Sequence, residues 1–162
     1  MKSLYLHIGL GKTGSSALQS WLSLNSEGLS QQGIDYADLA PEAKHGEISS
    51  GNGHALFMAC KNEDIAEAER LLTSEYFFNE GNQTAVVSCE LLQSLRRAKI
   101  QIIKDICDRH GIEVTVIAYV RSIYERCYSS YVQSVKRSRA THAFGEKKSD
   151  LNTASSADFL FN

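Results

Sequence analysis

The first twenty-four positions change period twice. Leu4, Leu6 and Ile8 belong to a short apolar run that breaks at once into glycines, which predicts a buried strand from Leu4 to Ile8 feeding a loop. Ala17, Leu18, Trp21, Leu22 and Leu24 then recur at helical spacing, with Ser15 or Ser16 as the expected N-cap and "NSEG" as the stop near Gly28. Strand, glycine loop and helix are contiguous.

The same reading carries along the chain. "QGIDYADL" predicts a short strand around Ile34 to Tyr36, and "APEAKHGEISSGNG", with the chain's one proline, predicts a loop. Helices are expected from Gly53 to Cys60 and from Asp64 to Phe78, the second on Ile65, Ala68, Leu71, Leu72 and Phe78. "TAVVSCELL" and "EVTVIAYVR" are β-branched runs of the kind that fill central strands. Between them Ile100, Ile103, Ile106 and Cys107 share one helical face, with Arg109 in the last turn and Gly111 at the stop. A strand, helix, strand order at this spacing implies a parallel sheet with helical crossovers, an α/β fold in three layers. "SIYERCYSSYVQSVKRS" reads as a further helix carrying Tyr124, Tyr128 and Tyr131, and 138–156 as a mobile loop. "ADFLFN" opens an apolar pattern with nothing after it, so the expectation is a single domain over 1–162, incomplete at its C-terminus.

Composition narrows the partners. With 162 residues and 43% hydrophobic content the chain can bury one core, and a formal net charge of −2 gives no overall attraction to nucleic acid, so any anion site must be local. No window approaches the ~18 consecutive apolar residues of a membrane span. Cys60, Cys89, Cys107 and Cys127 form no C-x-x-C pair and have no histidines at zinc-finger spacing, which argues against a metal and for free thiols in a reducing, cytoplasmic setting.

The chemistry concentrates in "HIGLGKTGSS". A glycine loop between strand and helix aims backbone N–H groups at an anion beside a helix N-terminus. Lys12 adds a full charge, and Thr13, Ser15 and Ser16 add hydroxyls to a loop with glycines at Gly11 and Gly14. The Walker A pattern G-x-x-x-x-G-K-[ST] is not complete, because counting back from Lys12 its first glycine falls on Leu6. That shorter cradle suits one phosphate better than a β,γ pair.

"YLHIGLGKTGSSALQSWL" resembles the 5′-phosphosulfate loop of sulfotransferases, and "VIAYVRSIYERCYSSYVQSVK" resembles their 3′-phosphate motif, a strand ending in arginine with serine eight residues on, here Arg121 and Ser129. The resemblance implies a P-loop NTPase-like sulfotransferase fold, lacking its C-terminal part. It implies transfer of a sulfuryl group from 3′-phosphoadenosine 5′-phosphosulfate (PAPS) to a hydroxyl or amine, leaving 3′-phosphoadenosine 5′-phosphate (PAP). Gly11, Lys12, Thr13, Gly14, Ser15 and Ser16 would hold the 5′-phosphosulfate, and Arg121 and Ser129 the 3′-phosphate. The family's mechanism requires no metal.

The acceptor, a small molecule or a glycan, needs a base. Glu90 stands at the expected carboxyl end of a strand, with Ser88 beside it as a further substrate contact, and His54 in "GNGHALF" competes for the role. His7 alternates with apolar neighbours and reads as a packed or supporting residue, and Cys89 as a small buried thiol. Acceptor specificity is expected from the loops Pro41 to Gly53 and Ser138 to Ser156. Two other readings stay open. A P-loop nucleoside or small-molecule kinase is opposed by "TVIAYVR", which ends in Arg where a magnesium-binding Asp is needed. A non-catalytic remnant would keep the fold to bind a nucleotide or a partner, including a second copy.

Overall fold

In a computed structural model, residues 1–37, 39 and 51–138 are described. The remainder, which includes most of both candidate specificity loops and the "ADFLFN" segment, lies outside the described residues. Four strands form one all-parallel sheet in the order β2-β3-β1-β4: β1 (Lys2–His7), β2 (Ile34–Asp35), β3 (Thr84–Ser88) and β4 (Ile112–Ile117). β1 lies between β3 and β4, with His7 opposite both Ser88 and Ile117. The α/β class and the parallel sheet are as the sequence predicts.

Among the described residues six α-helices connect and flank the strands: α1 (Ser15–Leu24), α2 (Ser26–Gln31), α3 (His54–Asn62), α4 (Ile65–Arg70), α5 (Arg97–Arg109) and α6 (Ile123–Ser138). The β1-to-β2 and β3-to-β4 connections run in opposite directions across the sheet, so right-handed crossovers place them on opposite faces. The packing agrees. Leu4, Leu6, Ala85 and Val87 point into a core with Ile103, Ile106 and Cys107 of α5, and α3 and α4 pack against α5. On the other face Gln19 of α1 reaches Ser88.

Several boundaries differ from expectation, each for a local reason. The first helix pauses at Asn25 and resumes as α2, so Gly28 sits inside a helix rather than ending one. Its N-cap is Gly14 in the left-handed region (φ 94°), not Ser15 or Ser16, because the loop reaches the helix through a turn that glycine adopts without strain. The face of α1 that buries is Ser15, Gln19, Leu22 and Ser23, whereas Trp21 and Leu24 are 55% and 67% exposed. The second long helix becomes a π-helical turn over Leu71–Glu75 after α4. β3 stops at Ser88 and gives way to a 3₁₀ turn over Glu90–Ser94. β4 was expected to be central and is instead the end strand among the described residues, with Val116 54% exposed. Its ladder with β1 stops at Ile117, so Arg121 stands four residues beyond the strand rather than at its end. Among the described residues no helix is long and apolar enough to cross a membrane.

Candidate functional site

The glycine loop leaves β1 at its carboxyl end and stays tied to the segment after β4. Ile8 N–H donates to the Ile117 carbonyl at 3.0 Å, and Leu10 N–H to the Tyr119 carbonyl at 3.5 Å. Lys12 adopts φ 72° and Gly14 φ 94°, two left-handed residues that reverse the chain into α1. No side chain caps α1; Ala17 N–H turns back to the Gly14 carbonyl at 3.1 Å, and the amides of Ser15 and Ser16 ahead of it have no side-chain cap, an arrangement that suits an anion. Thr13 donates its hydroxyl to the Leu10 carbonyl at 2.5 Å, which commits that proton to the loop. Ser16 is exposed, while Ser15 is buried at 3% exposure. Of the expected hydroxyl ligands, Ser16 is the one the surface presents.

Gly9 is required by close approach. A Cβ there would sit 2.7 Å from His7 Nε2, closer than side-chain atoms pack, so the loop lies directly on the histidine ring. His7 is 1% exposed, its ring tilted against Tyr119 at 5.3 Å. Burial holds the imidazole below its ordinary pKa, with the nearby Glu90 charge opposing in part.

The second motif meets the first. Arg121 Nη1 donates to the Lys12 carbonyl at 3.4 Å, and its Nε pairs with Glu125 Oε2 at 3.0 Å. Arg121 and Ser129 line one open cleft of about 630 Å³ together with Tyr124, Glu125, Tyr128 and Val132. Arg121, two residues before α6, thus lines one cleft with Ser129 of α6 and also reaches the rim of the loop. The carboxylate partner Glu125 occupies part of its fork.

The base candidates separate. Glu90 opens the 3₁₀ turn just past β3, half-buried, with Oε2 accepting from Gln19 Nε2 at 3.3 Å. His54 is the exposed first residue of α3, its ring tilted toward Phe57 at 6.2 Å. Ser88 is fully buried, its hydroxyl engaged by His7 and Gln19, which puts it beneath the site rather than on its surface. Cys89 is fully buried and its thiol is pushed up to about 11 by burial, an inert packing residue at neutral pH.

Two residues of this neighbourhood escaped the sequence reading. Asn52 accepts the Ser88 N–H through Oδ1 at 2.8 Å and donates to the Val86 carbonyl at 3.1 Å, fastening the turn before α3 to the end of β3. Gln19 joins Ser88 to Glu90. The available signal was a glutamine four residues after Ser15 and three before Leu22, on the helix stripe that buries.

No family model matches the chain, and no curated protein matches it.

Proposed function

We propose that the chain is a sulfotransferase-type domain that binds PAPS across the carboxyl ends of β1 and β4 and transfers its sulfuryl group to a hydroxyl or amine. The observation that carries the reading is the meeting of two distant motifs: Arg121 reaches the Lys12 carbonyl, and Ser129 shares its cleft. An isolated glycine loop fits many anions, but a second phosphate grip at its rim fits a nucleotide with phosphates at both ends.

The residues present fit that co-substrate. The Ser15 and Ser16 amides, which no side chain caps, with Lys12 and the Ser16 hydroxyl, suit the 5′ group; Arg121 and Ser129 suit the 3′-phosphate once Arg121 trades Glu125 for it. PAPS supplies an activated sulfuryl group: the S–O bond to the 5′-phosphate breaks as a bond from sulfur to the acceptor oxygen or nitrogen forms. Lys12 meets the charge that the leaving phosphate gains, and Glu90 takes the acceptor's proton. A glycan acceptor and a small hydroxyl compound place the same demand on these residues.

Isothermal titration with PAP tests the reading. Wild type should bind, and Lys12→Ala and Arg121→Ala should each weaken binding at least tenfold. No heat from the folded wild type, or unchanged affinity in both variants, overturns it.

A further inference from the structure

Four polar side chains join at the carboxyl ends of β1 and β3. His7 Nδ1 and Ser88 Oγ are 2.8 Å apart, and Gln19 Nε2 lies 3.2 Å from that same Oγ and 3.3 Å from Glu90 Oε2. His7 and Gln19 are each 1% exposed and Ser88 is sealed completely, while Glu90 is half-buried.

Counting donors and acceptors fixes the direction of the Gln19 bonds. The Gln19 amide nitrogen carries two N–H groups and accepts nothing, so it donates to both Ser88 and Glu90. Ser88 accepts from Gln19 and shares a single proton with His7 Nδ1, an O–H or an N–H according to the imidazole tautomer. Reversing the amide would set its oxygen against the Glu90 carboxylate, so that charge fixes its orientation. The turn before α3 closes over the group: a side chain at Gly51 would lie 2.7 Å from Gln19 Nε2 and 2.1 Å from the Ser88 carbonyl oxygen. Gln19 Oε1 and His7 Nε2 remain buried without partners. The orphaned Gln19 Oε1 costs stability that an apolar residue at position 19 would not, which marks the glutamine as held for something other than packing.

We propose that Gln19 is a positioning residue for Glu90: anchored from beneath by Ser88 and His7, it holds one carboxylate oxygen and turns the other toward the acceptor. This rests on reading Glu90 as the acceptor's base. An amide passes no proton along such a chain, so the group orients the carboxylate and does not relay. The acceptor's proton ends on Glu90 itself as the new bond to sulfur forms.

The test pairs a spectrum with a double-mutant cycle. In ¹⁵N-labelled protein the Gln19 side-chain amide resonance, identified by its loss in Gln19→Met, should move in Glu90→Gln. With PAPS and a panel of hydroxyl acceptors, Gln19→Met should lower kcat about tenfold while PAP affinity stays within twofold. In the Glu90→Gln background the same change should cost no further rate, because its effect runs through the carboxylate. Ser88→Ala, which withdraws the anchor but keeps Gln19, should lower kcat about threefold, and it carries the test if Gln19→Met does not fold. An unmoved amide resonance, or rate losses that simply add, overturns the positioning role while leaving PAP binding intact. PAP binding without transfer in wild type removes the base assignment and this proposal with it. Absent PAP binding with a moved resonance instead overturns the nucleotide reading and supports the hold of Gln19 on Glu90.

Discussion

Arg121 and Lys12 are 109 positions apart in sequence, and the arginine's Nη1 donates to the lysine's backbone carbonyl at 3.4 Å. The bond is long and the arginine exposed, so it adds little to stability. Its value is in placing a guanidinium at the loop's rim. Arg121→Ala should therefore leave the urea midpoint within the error of a surface substitution, about 0.5 kcal/mol, while PAP affinity falls ten- to a hundredfold.

Glu125 competes for the same guanidinium. An exposed pair of this kind is worth about 0.2–1 kcal/mol, and a bound phosphate must displace it. Glu125→Gln should accordingly tighten PAP binding up to about fivefold at low salt, with the gain shrinking at 0.5 M salt. Titration calorimetry of the two proteins side by side measures it; weaker binding in the variant would assign Glu125 to the ligand instead.

Burial lowers the His7 pKa, so the unfolded chain takes up a proton at a higher pH than the native one. The native state is favoured above the unfolded value near 6.5 and loses that advantage as pH falls below it toward the lowered native value. Urea unfolding at pH 7.5 and 5.5 should show stability declining across this window. His7→Gln, which cannot charge, should flatten the decline. The carboxylates of Glu63, Glu67 and Glu69, held below their usual range first by hydrogen bonds to Lys99, Arg70 and His110, titrate below this window.

Gly9 and His7 occupy one space. Gly9→Ala should destabilise the protein by about 1–3 kcal/mol through overpacking, and most of that penalty should vanish when His7 is alanine. Denaturant unfolding of the single and double variants gives the coupling directly. Additive losses would mean that the loop backbone, not the ring, resists the methyl group.

The buried thiols Cys60, Cys89 and Cys107 are each pushed up to about 11 by burial. At pH 8 a disulfide reagent should label them over hours in the folded protein and within minutes in urea. Rapid native labelling of any of the three would show that the fold opens locally around it.

The strand, loop and helix at the start of the chain were legible because they rest on local period and on glycines. The edge position of β4 was not, because strand order is set by pairings between residues such as Leu4 and Val114 that no local window contains. "AYVR" looks like strand on propensity, yet the ladder ends at Ile117 as β1 itself ends at His7. Arg121 and Ser129 are paired by the resemblance, and they line one cleft; the four-residue spacing of Arg121 and Glu125 already allows the ion pair that forms. Gln19 was passed over because a search for the apolar face of α1 settles on Trp21 and Leu24, which are exposed. The face that buries there carries polar atoms.

Lys12 holds a left-handed backbone, φ 72°, that a residue with a side chain enters at a cost of about 1–2 kcal/mol and glycine enters freely. If Lys12 meets the 5′ group as proposed, fold and ligand want different residues at one position. Lys12→Gly should raise the melting temperature and weaken PAP binding together, whereas Lys12→Ala should weaken binding with no thermal gain. The backbone alone favours glycine here, so on the proposed reading position 12 is where the molecule exchanges endurance for charge.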